Sequence, residues 1–121
     1  MATTTINGDT TISGDLQAPS GITVGGTSDK IHKIFAQSGA IDFNSASAGA
    51  IITSDVTVTG VDNSKDSAVL VSCQSALTVG LVLSGRVSAA NTVQVSLLNT
   101  TSNTIDEASK QFDIVVFQLE A

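Results

Sequence analysis

The chain has 121 residues, room for one ordinary domain, or for a domain of about ninety residues with an appendage. Five Lys and Arg against eleven Asp and Glu leave a net charge of −6; cations this few and scattered exclude a nucleic-acid surface, which needs clustered Lys and Arg for counterion release. No apolar run approaches the ~20 residues of a membrane-spanning helix, and a single cysteine, Cys73, excludes an internal disulfide.

Met1-Ala2-Thr3-Thr4-Thr5 lacks the basic start and apolar stretch of a signal peptide. The expectation is a protein made in a cytosol that leaves it only as part of a larger object. Charged residues are 13% of the chain, and Trp and Tyr are absent. Val, Ile and Leu must therefore build the core.

At the N-terminus, Thr5-Ile6-Asn7-Gly8-Asp9-Thr10 is followed at once by Thr11-Ile12-Ser13-Gly14-Asp15-Leu16, the pattern Thr-Ile-x-Gly-Asp-x repeated with a six-residue period. Gly21-Ile22-Thr23-Val24-Gly25-Gly26 is a looser echo, and Ala18-Pro19-Ser20-Gly21 is a turn or hinge. Each hexad offers one large apolar side chain, too little for a core of its own. Residues 1–29 thus form an extended or solenoid-like arm that gains stability only when something stacks against it. Ile6, Ile12, Leu16, Ile22 and Val24 are its candidate assembly contacts.

Residues 30–121 have a different composition. Lys30 to Ala36 predicts a first strand, Ile41 to Phe43 a short second piece, and Gly49 to Thr59 a strand whose second half alternates apolar and polar. Gly60 to Asp66 is a turn cluster. Ala68 to Cys73 is a compact Val-Leu-Val run, the pattern of a strand buried on both faces. Gly80 to Ser88 is the next strand, Ala89-Ala90-Asn91 turns the chain, and Thr92 to Leu98 places Val93, Val95 and Leu97 inward. Asn99 to Ser109 is a polar loop with one buried anchor, Ile105. Phe112 to Leu119 closes the chain, with Phe112, Ile114 and Val116 on one face. Six or seven strands without helical periodicity predict an all-β fold, an antiparallel β-sandwich or jelly roll behind the arm. Val115, Phe117 and Leu119 make the other face of the last strand apolar too. Either both faces of that strand are covered, or one face meets a subunit.

Little in the chain offers chemistry. Cys73 and His32 are the only thiol and imidazole, and Cys73 sits in a strand pattern where a thiol is ordinarily a small core residue. Asp9, Asp15, Asp62, Asp66 and Asp106 lie in turns, as Asx geometry favours. Asp62-Asn63-Ser64-Lys65-Asp66 resembles a calcium loop superficially, but Lys65 and the missing closing Glu argue against it. A ring of Gly-Asp carboxylates on a three-fold axis could hold a cation; like charges left in solvent are the simpler reading. Gly25 to Lys30 lacks phosphate-loop spacing. Asn99-Thr100-Thr101 fits the glycosylation triplet, but without secretion the match is chance. No catalytic residues, metal ligands or cofactor site are expected, and the expectation is that the chain is not an enzyme.

Four strings together, Val56-Thr57-Val58-Thr59-Gly60-Val61, Asp66-Ser67-Ala68-Val69-Leu70-Val71, Gly80-Leu81-Val82-Leu83-Ser84 and Arg86-Val87-Ser88-Ala89-Ala90-Asn91-Thr92-Val93, resemble a β domain of tailed-bacteriophage virion proteins. Ile105-Asp106-Glu107-Ala108-Ser109 and the apolar strand after it occupy that domain's final positions, so the resemblance covers roughly residues 40–119. Lys65, Gln74 and Glu107 depart from its usual residues, which affects loops rather than strands. The arm is similar to the shaft repeats of phage fibres. The resemblance implies a virion context. Within it the expected role is a trimeric capsid decoration (cement) protein on the phage head surface, bound at local three-fold positions, with the major capsid protein and its own copies as partners. Synthesis would be in the bacterial host cytoplasm. The alternative is a trimeric head-fibre or tail-fibre component with a host-binding β domain, against which stands the lack of Trp and Tyr for glycans. A surface hydrolase would need paired carboxylates in a cleft, which Asp106, Glu107 and Asp113 do not convincingly provide. Val115, Phe117 and Leu119 are the candidate subunit interface, and the arm is the candidate capsid-binding element.

Overall fold

In the computed structural model, which describes residues 5–21 and 31–119, six strands follow one another: β1 (Lys33–Ile41), β2 (Ile51–Thr57), β3 (Ser67–Cys73), β4 (Leu81–Ala89), β5 (Thr92–Asn99) and β6 (Lys110–Gln118). They form two antiparallel three-stranded sheets, β1-β6-β3 and β2-β5-β4. There is no helix among the described residues.

Alternation with a period of two decides which residues meet. In β6, Phe112, Ile114 and Val116 point inward; in β5, Val93, Val95 and Leu97 do, and all six are at most 2% exposed. Ile41, Phe43, Val58 and Val61 complete the buried cluster, with Val69, Val71, Leu81, Leu83 and Val87 packed against it from the outer strands. The two sheets thus share one core, a sandwich-like arrangement. Each large buried side chain contributes about 1.5–3 kcal/mol relative to exposure. Phe43 packs edge-on against Phe112 with ring centroids 5.8 Å apart. Gly85 lets β4 approach β3 closely, since a Cβ there would lie 2.7 Å from Cγ2 of Val71.

The connections are short and repeatedly change sheet. Only β4 and β5 form a hairpin within one sheet, after a bulge between Val87 and Ala89. Asn91 takes φ 60° at its tip, a conformation asparagine tolerates better than most residues. It also holds the neighbouring loop: Gly60 N–H donates to Asn91 Oδ1 at 2.8 Å, and Asn91 N–H donates to Val61 O at 2.9 Å. Pairing β1 with β6 and β2 with β5 nests the chain around this hairpin, with three strands per sheet where an eight-stranded jelly roll has four.

Several expectations shift. The strand expected from residue 30 runs instead from Lys33 to Ile41. Ile41–Phe43 is no separate strand, because Ile41 ends β1 and Phe43 fills the core from the connection. The run from Ala68 to Cys73 is not buried on both faces: β3 is an edge strand with one sheet behind it, and Leu70 is 61% exposed. Ile105 is only half-buried, although it bridges to Ala46. The stronger anchors of that loop are polar, Asn99 and Glu107.

Asn99 is 0% exposed and uses every polar position it has. Its Nδ2 donates to Ala46 O at 2.9 Å and Asn103 O at 2.7 Å, and its Oδ1 accepts from Thr101 N at 2.9 Å and Thr101 Oγ1 at 2.7 Å. A buried amide so satisfied locks the start of the β5–β6 connection to the β1–β2 connection. Asn99→Ala strands these partners, so we expect a loss of about 2–4 kcal/mol, read as a lower urea midpoint with unchanged slope.

Candidate functional site

Residues out of phase with the core decorate the outer faces of the sheets. On β1-β6-β3, the cross-strand rows are Ile34–Phe117–Ala68 and Ala36–Val115–Leu70, then the polar row Ser38–Asp113–Ser72. Leu119 extends the apolar end, held by its N–H donating to Asp66 O at 2.8 Å. Ile34 is 55% exposed, Leu70 61% and Leu119 37%, with Val115 and Phe117 half-buried between them. Continuous apolar rows across three strands form a patch, unlike scattered surface leucines, and patches of this kind mark interaction surfaces.

The face changes character within two residues. Asp113 accepts a hydrogen bond from Ser38 Oγ at 2.6 Å and from Gln74 Nε2 at 3.0 Å. These bonds, that from Ser38 first, hold its carboxyl below the usual aspartate range. The opposite sheet differs: its outer rows are Thr53–Ser96–Ser84 and Asp55–Gln94–Arg86, with only Ile51–Leu98–Val82 apolar at one end. Arg86 Nε donates to Gln94 Oε1 at 3.1 Å.

Sequence reading singled out Val115, Phe117 and Leu119, and the fold brings them together on one face. It missed Ile34, Ala36, Ala68 and Leu70, which join them there. The signal was present, since an uninterrupted Ala-Val-Leu-Val run puts apolar groups on both faces of a strand. Only the sheet order shows that one of those faces lacks a second layer.

Of the expected arm, residues 5–17 are all exposed, outside the core. Ile6 is 64% exposed, Ile12 50% and Leu16 64%. Gly8 and Gly14 both take left-handed φ, 86° and 115°, so the sequence repeat recurs as a backbone repeat. The turn at Ala18–Gly21 closes with Gly21 N–H donating to Ala18 O at 2.9 Å. A Cβ at Gly21 would meet Ile31 O at 2.8 Å, so this turn lies directly against the chain entering β1. Leu16 and Ala18 line a shallow groove with Ile31, His32, Lys33 and Ile34. Its volume of ≈ 210 Å³ is below the roughly 300–1,000 Å³ of small-molecule sites. Ile22 and Val24, the remaining arm candidates, lie outside the described residues.

The other candidates are dispersed. His32 N–H donates to Gln118 O at 2.7 Å, whereas Cys73 lies opposite Phe112 at the far end of β6. Six residues of strand separate them, about 20 Å, so they form no pair. Asp62 accepts from Ser64 N at 2.9 Å and Ser64 Oγ at 2.7 Å, an Asx turn; these bonds lower its pKa. No cluster of three or more His, Cys, Asp or Glu side chains suited to a metal occurs among the described residues. Glu107 and Asp113 belong to different environments. Glu107 Oε2 accepts from Thr78 N at 3.1 Å, and Lys110 Nζ lies 3.3 Å from its Oε1. Both carboxyls are shifted down, away from the raised pKa of a general acid.

Comparison with known protein families, with curated proteins and with solved structures yields no match.

Glu107 is 7% exposed, and its pKa falls below the ordinary 4.5 chiefly through hydrogen bonding to Thr78, with Lys110 adding to it. A carboxyl depressed in the folded state stabilises it fully above the unfolded pKa. That contribution is lost as pH falls through the folded value. Glu107→Gln should therefore flatten the acid limb of the stability curve below pH 4.5, as followed by thermal melts across pH.

Proposed function

We propose that the chain is a structural protein of a tailed-phage virion, a capsid decoration (cement) protein. In this reading it assembles as a trimer at local three-fold positions on the outside of the head. The observation that carries the reading is the pairing of two unpartnered apolar features in one small chain: the face around Phe117 and the arm carrying Ile6, Ile12 and Leu16. A chain of 121 residues that spends so much apolar surface on its exterior is suited to being one part of an assembly. The resemblance of residues 40–119 to virion β domains supplies the context, and nesting of β1 on β6 and β2 on β5 supports a shortened jelly roll.

The physical role follows from linkage. A protein that binds only the assembled shell, bridging neighbouring capsomers, shifts the equilibrium toward that shell and raises its resistance to internal pressure. The outer face of β1-β6-β3 holds the copies together through Val115, Phe117 and Leu119, joined by Ile34 and Leu70. The arm fastens the assembly, docking Ile6, Ile12 and Leu16 on a neighbouring copy or on the capsid protein. No catalytic step is required, and the head surface is where the protein resides.

Purified protein added to undecorated heads should bind saturably, at a fixed number per capsomer, and should raise shell survival on heating or chelation. Deleting residues 1–28 should leave a folded domain that no longer binds heads; undiminished binding by the truncated chain would remove the arm from the attachment mechanism. Binding to host cells but not to heads would transfer the protein to the fibre class. Phe117→Asp places a charge in the middle of the apolar rows, and light scattering should then give the mass of a single chain. A trimer of unchanged stability would reject that interface.

A further inference from the structure

Among the described residues, strand β1 has an edge with no partner strand. It borders β6 on one side and no strand on the other, so every second N–H and C=O along nine residues faces outward. Natural proteins protect such edges with charges, prolines, bulges or a covering element. The edge of β4 carries a bulge and packs toward β3, and β2 carries Asp55 in its interior. β1 has Lys33 at its first position and no other charge or proline. It is also the most open strand, with Gln37 and Ser38 exposed at its centre.

The same chain holds a segment with the complementary need. Among the described residues, no hydrogen bond ties the backbone of residues 5–17 to any other part of the protein. The hexad period is an even number. In an extended conformation, where side chains alternate, Ile6, Thr10, Ile12 and Leu16 fall on one side, and Asn7, Asp9, Thr11, Ser13 and Asp15 on the other. That is an amphipathic strand. The positive φ of Gly8 and Gly14 interrupts it, yet a Cβ at either would meet nothing within 4 Å. No packing holds those angles, and glycine accepts extended ones equally well.

We propose that the arm of one copy adds as an extra strand to the free edge of β1 in a second copy. Main-chain hydrogen bonds supply the attachment, as in other strand additions. One of Ile6, Ile12 and Leu16 then falls beside the adjacent apolar rows Ile34–Phe117 and Ala36–Val115 and extends them, while the other two lie further along the same side of the added strand. The sheet grows from three strands to four. Arm on edge is a heterologous contact, the kind that closes rings such as trimers when the rotation allows. Leu16, which ends the second hexad, and Ala18 already lie beside the start of β1, so the hexad segment leaves its own domain close to the edge that it fills on the neighbour. This inference rests on the self-association proposed above and not on the head-binding role.

The test is hydrogen exchange of the full chain across a dilution series, with mass followed by light scattering. Adjacent residues of a strand point their N–H groups to opposite sides, so Thr10→Pro with Thr11→Pro removes an arm donor toward β1 in either register. Ile12→Asp is the second variant; both alter exposed arm positions and leave the core intact. In the multimer, the β1 amides facing away from β6 should be protected, and dilution or either variant should expose them together with loss of mass. Amides of β5 and β6 should not change. A multimer whose outward β1 amides exchange freely would overturn the proposal. So would protection that persists in single chains, which would put the arm on its own domain. Failure to bind phage heads, by contrast, would strike the cement reading and leave this result standing.

Discussion

The apolar sides of β5 and β6 meet inside the protein, and the other elements depend on that contact. Val93, Val95 and Leu97 come from the centre of one sheet, and Phe112, Ile114 and Val116 from the centre of the other. Each central strand is flanked on both sides, so its inward residues are sealed laterally as well as from the opposing layer. The flanking strands lack that enclosure, and apart from Ile41 at the end of β1 their inward residues are only partly buried or exposed. A sandwich three strands wide has just enough width to enclose one line of core. Anything out of phase with that line is outside.

This constraint explains why the outer faces differ so sharply. One side of β2-β5-β4 carries Thr, Ser, Gln, Asp and Arg in rows, which water solvates readily. The corresponding side of β1-β6-β3 carries Ile34, Ala36, Val115, Phe117 and Leu70. Apolar rows left in water cost stability at roughly 25 cal/mol per Å² of area that could have been buried. Two adjacent rows on this face, against the one row Ile51–Leu98–Val82 at an end of the other, and a polar end tied up by Ser38, Asp113 and Gln74 limit where a partner can sit. Residues 5–17 show the same imbalance along one dimension: Ile6, Ile12 and Leu16 are exposed, and among the described residues no backbone hydrogen bond ties this segment to the rest. The proposed self-assembly answers both deficits.

Polar groups settle the loops that the apolar core leaves loose. Asn99, Glu107 and Asn91 each connect segments far apart in sequence. Their side chains take the place of a second layer at the ends of the sandwich, where main-chain groups leave the ladders and must find partners. The lowered pKa of Glu107 reflects this work: its charge is stabilised because the loop around it is built to accept it.

The alternation of Val93-Gln94-Val95-Ser96-Leu97 and of Phe112 to Phe117 determined by itself which residues form the core and that the class is all-β, because strand periodicity is local. The hexads likewise predict an arm outside that core, and Ile6, Ile12 and Leu16 are exposed. Local pattern could not tell whether the Val-Leu-Val run of β3 faces one layer or two, since neighbours decide burial. Nor could it set the loop anchors: Ile105 looked the better candidate on hydropathy, whereas Asn99 is the more buried because four partners converge on it. The tertiary structure alone decided that Ile34 and Leu70, 36 residues apart in the chain, flank Val115 and Phe117 on one face. Sheet order is a long-range property, fixed by how the strands cross between layers, and it turns three unremarkable segments into one surface.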